Sequence, residues 1–365
     1  MIRRKYISTR LLESGMVIDQ SIVDGTGRVL VARKTPLDDY IIDGLRKLKI
    51  TGVYIREGEE EPEDPNIEAS PETLQTIEKL RKADRTKLQL SESVRARVAT
   101  GMQFMFSNPK DAGVMDAANS ISGELMKTIT ENDAVAVNID ALKVSDEYTF
   151  KHSVDVASMA MIIARQSGMS DEDVRRIGVS GLLHDLGKSE IPNEILNKPA
   201  RLTDEEFEVM KSHPLRGYNL LKDKPDIAPE ILMGVLQHHE KMGGNGYPLG
   251  VAGDKISPYA RVLAVADIYD ALVTERPYKK GFTPRDAVEM IMAMTEDLDV
   301  NMIKMFLKSV ILYPVDSVVR LSSGEAAKVV ENNIDYPTRP KVVGLKSGKI
   351  LNLAFDVNCA SIIIE

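Results

Sequence analysis

The chain of 365 residues has a single cysteine, Cys359, so neither an intrachain disulfide nor a thiolate cluster can form, and any metal must be held by nitrogen and oxygen. Such cysteine usage suits a reducing compartment. Long apolar runs are missing as well. No stretch reaches the roughly 18 residues that mark a membrane-spanning helix, and the basic start Met1-Ile2-Arg3-Arg4-Lys5-Tyr6 leads into polar sequence instead of the apolar core of a signal peptide. The expected location is the cytoplasm. An excess of positive charge is also lacking: a net charge of −8 argues against binding DNA or RNA polymers, which rests on a broad cationic surface. It still leaves room for a small phosphate ester met by a few local cations. The most informative absence is that of histidine. Residues 1–151 and 240–365 contain none, and all five histidines, His152, His184, His213, His238 and His239, fall between.

Length and ordinary globular composition predict two or more domains. Residues 1–56 read as a small α/β module with nothing catalytic. It has an apolar segment from Met16 to Val23, a turn at Asp24-Gly25-Thr26-Gly27, a second strand from Arg28 to Ala32, and a third from Gly52 to Ile55. Between the last two, Thr35 is the expected helix cap, with Pro36 at the first helical position and Asp38 three residues after the cap. Residues 57–72 are acidic and broken by Pro62, Pro65 and Pro71, a composition that cannot bury apolar area and reads as a linker. Residues 73–130 form a helical connector in which Met102, Phe104, Met105 and Phe106 stand at positions suited to core packing. Residues 131–310 are strongly helical, and 311–365 change to short β-like pieces around Ser322-Ser323-Gly324 and Ser347-Gly348.

Within the helical region each histidine can be placed. His152 shares a helical stripe with Val156, Met159 and Ile163. Ser170 and Asp173 make a capping box for a helix that ends at His184-Asp185, just before Gly187. Thr203 and Glu206 make a second, for a helix reaching His213, where Pro214 disfavours continuation. A helix from Pro229 is expected to carry Leu232, Val235 and His239 on one side, and one from Ser257-Pro258 to carry Asp267. Bundle folds build metal sites from side chains so arranged. One histidine on an apolar helix face is ordinarily a satisfied core residue, but five histidines and two aspartates buried without metal would carry a heavy desolvation cost. A histidine followed directly by aspartate can feed two adjacent cations, because a carboxylate has two oxygens and can bridge. Such cations lower the pKa of bound water from about 15.7 towards roughly 7 and clamp a phosphate. The reading is a hydrolytic metal centre.

Several motifs occur in order: His184-Asp185-Leu186-Gly187-Lys188, then Ile191-Pro192-Asn193-Glu194-Ile195-Leu196-Asn197-Lys198-Pro199, His213-Pro214, His238-His239-Glu240 and Gly246-Tyr247-Pro248. Together they resemble the HD-GYP family of cyclic di-GMP phosphodiesterases, within the HD-domain metal-dependent phosphohydrolases, over roughly residues 140–300. The resemblance implies a mainly α fold, an all-helical HD-type bundle flanked by the N-terminal α/β module and the C-terminal β appendage. It implies metal ligation by His152, His184, Asp185, His213, His238, His239 and Asp267, with Asp185 as the bridge. Lys188 would contact the scissile phosphate, Arg276 and Lys279 the substrate phosphates, and Tyr247 the guanine groove. The module at residues 1–56 resembles modules that precede domains of this family, which implies a regulatory role. Family members that hold a third metal carry a glutamate one turn before the first histidine. Here that position is Tyr148, so two divalent ions are expected, Fe or Mn by donor type and resemblance, with Zn also open. The implied activity is hydrolysis of cyclic di-GMP to linear pGpG, GMP or both. Two alternatives stay open: a non-catalytic module that holds cyclic di-GMP or a diguanylate cyclase-type partner, and a hydrolase of another nucleotide. Whether the chain is a homodimer is likewise open.

Overall fold

The computed structural model describes residues 3–18, 22–23, 29–31, 35–48, 50, 52–57, 69–84, 87–88, 90–131, 136–137, 148–198, 200–274 and 281–365. The N-terminal module runs through strands β1 (Arg3–Ser8), β2 (Val17–Ile18), β3 (Ile22–Val23) and β4 (Val29–Val31), helix α1 (Asp39–Lys47) and strand β5 (Gly52–Glu57). Strand β5 lies between β1 and β2, antiparallel to both, and β3 pairs with β4. Ile7, Ile18, Val53 and Ile55 of the sheet meet Ile42 and Leu45 of α1 in a small core. The α/β character is as expected, with two differences. The basic start, read only as polar, forms strand β1. Helix α1 is capped by Asp38, which accepts from the Ile41 amide at 2.7 Å, and not by Thr35. Aspartate is the better cap and adds its charge to the positive end of the helix dipole; Pro36 is left in a bridge with Val17.

Beyond the acidic stretch, most of which lies outside the described residues, come α2 (Pro71–Leu80), β6 (Lys87–Leu88), α3 (Glu92–Ser107), α4 (Val114–Glu131), β7 (Ala136–Val137) and α5 (Tyr148–Gln166). Then follow α6 (Asp171–Leu183), a 3-10 turn at Leu186–Glu190, α7 (Asn193–Leu196), α8 (Asp204–Met210), α9 (His213–Leu221), α10 (Pro229–Gln237), α11 (Pro258–Val273), α12 (Pro284–Ala293) and α13 (Val300–Lys308). One core joins α3 to α6 with α9 to α13. Helix α5 is at its centre: Val154, Val156, Ala157, Ala160, Met161, Ile163 and Ala164 are fully buried on one half of the helix and Ser158, Met159 and Ile162 are buried on the other, which is the pattern of an interior helix and not of a single stripe. In α3, Met102 and Met105 are fully buried, each contributing about 1.5–3 kcal/mol. Phe104, expected beside them, is 36% exposed and faces outward.

The C-terminal strands β8 (Val318–Arg320), β9 (Ala326–Glu331), β10 (Lys341–Gly344) and β11 (Ile350–Asn352) form an antiparallel meander in the order β11-β10-β9-β8. Helix α2 packs on it through Ile77 and Leu80 against Val330, Val343 and Leu345. The fold is thus mainly α with small sheets towards both ends. Among the described residues, no helix is long and apolar enough to cross a membrane.

Candidate metal centre

Close helix approach begins the site. A side chain at Gly181 of α6 would come within 2.7 Å of the Ala157 backbone in α5, so only glycine lets the two helices meet, and this sets the rings of His152 and His184 at 5.2 Å. Ser170 caps α6 as expected, accepting from the Asp173 amide, and the helix ends with His184 at its C-cap. Asp185 then opens the 3-10 turn. Within that turn Gly187 lies against the backbone of His213 and Gly217, which a Cβ would overlap, so the turn presses Asp185 onto the start of α9.

Two of the residues expected as ligands sit differently from the sequence reading. Thr203 and Glu206 do form a capping box, but the helix they open stops at Met210, and His213 is the first residue of α9, with Pro214 in its first turn. Proline is excluded from helix interiors yet costs nothing at this position, where its missing N–H would be unpaired anyway. His239 is not on one side of a helix with Leu232 and Val235. Helix α10 ends at Gln237, His238 is its C-cap and His239 belongs to the following turn. Freed from the 100° divergence of helical neighbours, the two imidazoles lie 4.1 Å apart.

The resulting cluster has a carboxylate in the middle. Asp185 Oδ2 faces His152 Nε2 at 3.6 Å and His184 Nε2 at 3.4 Å, while Oδ1 faces His213 Nε2 at 3.3 Å. Asp267 of α11 approaches His152 Nε2 with Oδ1 at 3.2 Å and His239 Nδ1 with Oδ2 at 3.7 Å. His213 and His238 point their Nε2 atoms at each other at 3.2 Å. Three rings are held from behind: Nδ1 of His184, His213 and His238 donates to the carbonyls of Gly181, Met210 and Val235 at 2.7, 2.9 and 2.8 Å. Nε2 of each is thereby turned into the site. All seven residues expected as ligands come together, and six are buried, His239 alone being half-exposed.

The electrostatics suit a cation. Burial, abetted by the neighbouring imidazoles, holds His238 well below its usual value; burial also lowers His184, and lowers His239 to about 3, against the pull of nearby carboxylates. Burial pushes Asp185 and Asp267 up, but Lys188, His184 and His213 around the first and His152, His239 and His184 around the second together outweigh it and hold both well below the usual carboxylate range. Burial disfavours charge on His152 too, yet Asp267 and Asp270 lift it to about 10. Among the described residues six buried side-chain atoms have no hydrogen-bond partner, and two of them, His184 Nε2 and Asp185 Oδ1, belong to the cluster, each a cost of about 1–3 kcal/mol if left so. Three overlapping groups, His213-His238-His239, His152-His184-Asp185 and His184-His238-Asp267, have donor atoms within 4.8 Å of one another. Nitrogen donors facing paired carboxylate oxygens, with orphaned lone pairs inside, fit divalent metal.

Around the cluster, Lys188 Nζ lies 2.5 Å from Asp185 Oδ2 and is 28% exposed, and the Tyr247 ring lies 4.7 Å from that of His239. Arg276 and Lys279 lie outside the described residues, as does the side chain of Tyr148. Two residues were not singled out from sequence. Asp270 accepts from His152 Nδ1 at 2.6 Å and from Thr274 Oγ1 at 3.1 Å, the carboxylate support common behind metal-binding histidines; its spacing of three from Asp267 on one helix was the available signal. Glu240, buried next to His239, accepts from the Leu249 and Val251 amides at 2.6 and 3.1 Å and so ties down the glycine-rich loop. Its place directly after the histidine pair was the clue.

Residues 136–302 match the HD domain family. The chain is 35% identical over 264 residues to a cyclic di-GMP phosphodiesterase of Pseudomonas aeruginosa, covering 70% of this chain and 64% of that protein. It is 34% identical over 206 residues to the cyclic di-GMP phosphodiesterase response regulator RpfG of Xanthomonas campestris pv. campestris, covering 55% and 54%. It is 41% identical over 146 residues to a 3'3'-cGAMP-specific phosphodiesterase of Vibrio cholerae, covering 40% and 31%. The chain thus spans less than two thirds of the length of each of these relatives. With His184-Asp185 at the centre of its cluster, the segment at 136–302 is an HD domain.

Proposed function

We propose that this chain is a metal-dependent phosphodiesterase that hydrolyses cyclic di-GMP to linear pGpG, GMP or both, in the cytoplasm. The observation that carries the reading is the position of Asp185, whose two carboxylate oxygens face different histidine groups while Lys188 approaches from the partly exposed side. His152, His184 and Asp267 would hold one divalent ion on the Oδ2 side, and His213, His238 and His239 a second on the Oδ1 side, with Asp185 shared. Fe or Mn suits these donors, and Zn accepts the same set. When bound, such ions acidify water and draw charge from a phosphoryl oxygen.

The protein side chains do the rest. Lys188, a cation at the edge of the cluster, orients the scissile phosphate and offsets the charge that builds on its oxygens as the ribose 3' oxygen leaves. Tyr247, with its ring beside His239, offers a flat surface to a guanine base. Arg276 and Lys279 are assigned to the phosphates by motif position. Control is assigned to the N-terminal module at 1–56, joined by the linker 57–72 and the connector 73–130 to the catalytic unit at 131–310, with 311–365 as an appendage. A diguanylate cyclase-type protein is the partner proposed for the loop from Gly243 to Pro248, and a homodimer is the proposed oligomeric form. Similarity to the 3'3'-cGAMP-specific relative favours a second reading, in which a mixed guanine and adenine cyclic dinucleotide is the better substrate.

Protein purified without oxygen and loaded with Mn or Fe, given a panel of cyclic dinucleotides, tests these readings together. Release of pGpG or GMP from cyclic di-GMP is expected. Faster cleavage of 3'3'-cGAMP would move the assignment to the mixed dinucleotide, and no turnover with metal bound would sink the enzyme reading.

A further inference from the structure

The rim of the site carries an arrangement that the metal centre does not use. Lys211, the residue after α8 and two before His213, places Nζ 5.5 Å from the Phe207 ring centroid and 6.0 Å from that of Tyr247. Its Nζ also pairs with Glu208 Oε1 at 2.5 Å. Phe207 is 48% exposed. Tyr247 in turn lies beside His239. A path of flat surfaces and one ion pair therefore leads outward from the metal ligands: His239, Tyr247, Lys211 with Glu208, and Phe207.

Each part answers to one feature of a guanine base. Aromatic faces stack on any base. An ammonium donates to the acceptors O6 and N7 of guanine, whereas adenine presents an amino donor where guanine has O6. A carboxylate accepts from the N1–H and N2–H2 donors on the guanine edge, and the adenine edge offers it an acceptor instead. The ion pair is at the surface, with Glu208 69% exposed, so breaking it to contact a base costs little.

We propose that Lys211 and Glu208, beside the rings of Phe207 and Tyr247, read a guanine of the bound cyclic dinucleotide and set the preference for guanine over adenine. This rests on the cyclic-dinucleotide reading of the metal site and adds to it the residues that select the base. The test is the affinity of the metal-loaded protein for non-hydrolysable phosphorothioate analogues of cyclic di-GMP and cyclic di-AMP, by titration calorimetry. Wild type is expected to bind the guanine analogue at least about tenfold more tightly, and K211M and E208Q each to lose most of that preference, since one base-edge pairing is worth about tenfold or more. K211R, which keeps the donor, is expected to retain part of it. Metal content and thermal melting separate a misfolded variant, which would weaken both analogues alike, from a folded one, and E208A replaces any variant that fails them. An unchanged ratio in variants that load metal and melt as wild type does overturns the assignment, as does a wild type that shows no preference or no binding. Turnover of cyclic di-GMP by wild type is scored separately, so that the enzyme reading can stand when this one falls.

Discussion

Replacing Asp270 by asparagine perturbs the centre without touching a ligand. Asp270 is buried and bonded to His152 Nδ1 at 2.6 Å; asparagine keeps its volume and removes its charge. Burial opposes charge on His152, but Asp267 and Asp270 raise it to about 10, so near pH 7 the metal-free ring is protonated. A cation takes only neutral imidazole, and loading must expel the Nε2 proton. His184, His238 and His239 are all pushed down, foremost by burial, and release none at or above pH 7. From His152, then, about one proton leaves per loading event, and affinity should rise roughly 100-fold between pH 7 and 9. In D270N only Asp267 supports the charge, burial weighs more and the pKa falls, so the rise over that range should shrink to less than about tenfold. At pH 9, where the proton costs least, an orienting bond to a neutral amide oxygen in place of a carboxylate should leave D270N weaker by about 10–100-fold, or about 1.4–2.7 kcal/mol. Competition for Mn(II) against a chromophoric chelator, without oxygen, measures both quantities. Equal pH slopes in the two proteins would refute the assignment of the proton, and equal affinities at pH 9 would refute the orienting role.

Lys188→Met should keep its metal content and lose about 10²–10³-fold in kcat, the usual loss for one oxyanion donor, measured on cyclic di-GMP with metal analysis alongside. In Glu240→Ala the Leu249 and Val251 amides lose their acceptor, which should cost about 1–3 kcal/mol in urea unfolding and raise KM more than it lowers kcat as the Tyr247 loop loosens. Gly187→Ala forces a methyl into the backbone of His213 and Gly217; destabilisation of about 1–3 kcal/mol or more, with loss of metal as Asp185 and His213 part, is the expected result in thermal unfolding and metal analysis.

What was legible in the sequence was mostly local. Ser170 and Thr203 announce helix starts because a cap bonds an amide three residues away, and both are caps here. The short β-like pieces of 311–365 correspond to strands of the meander. His213 was misplaced because proline carries two signals, breaker in a helix interior and starter in a first turn, and the residues alone do not say which applies. His239 was placed on a helix because periodicity does not reveal that α10 stops at Gln237. Asp270 was missed for a different reason: its partner His152 lies 118 positions away, and on α11 it looks like any helical carboxylate until the chain is folded. The seven residues proposed as ligands could be singled out because their types are rare and their order is that of a known motif, a signal independent of helix boundaries.

The central claim is that Asp185 joins two metal sites whose occupation makes the chain a phosphodiesterase. Metal analysis of oxygen-free wild type and D185A, with the products each forms from cyclic di-GMP, tests it most directly. Wild type should hold about two divalent ions per chain, as two-metal centres do, and release pGpG or GMP, while D185A loses metal and activity together. A D185A protein that keeps both ions and turns over at the wild-type rate would contradict the account.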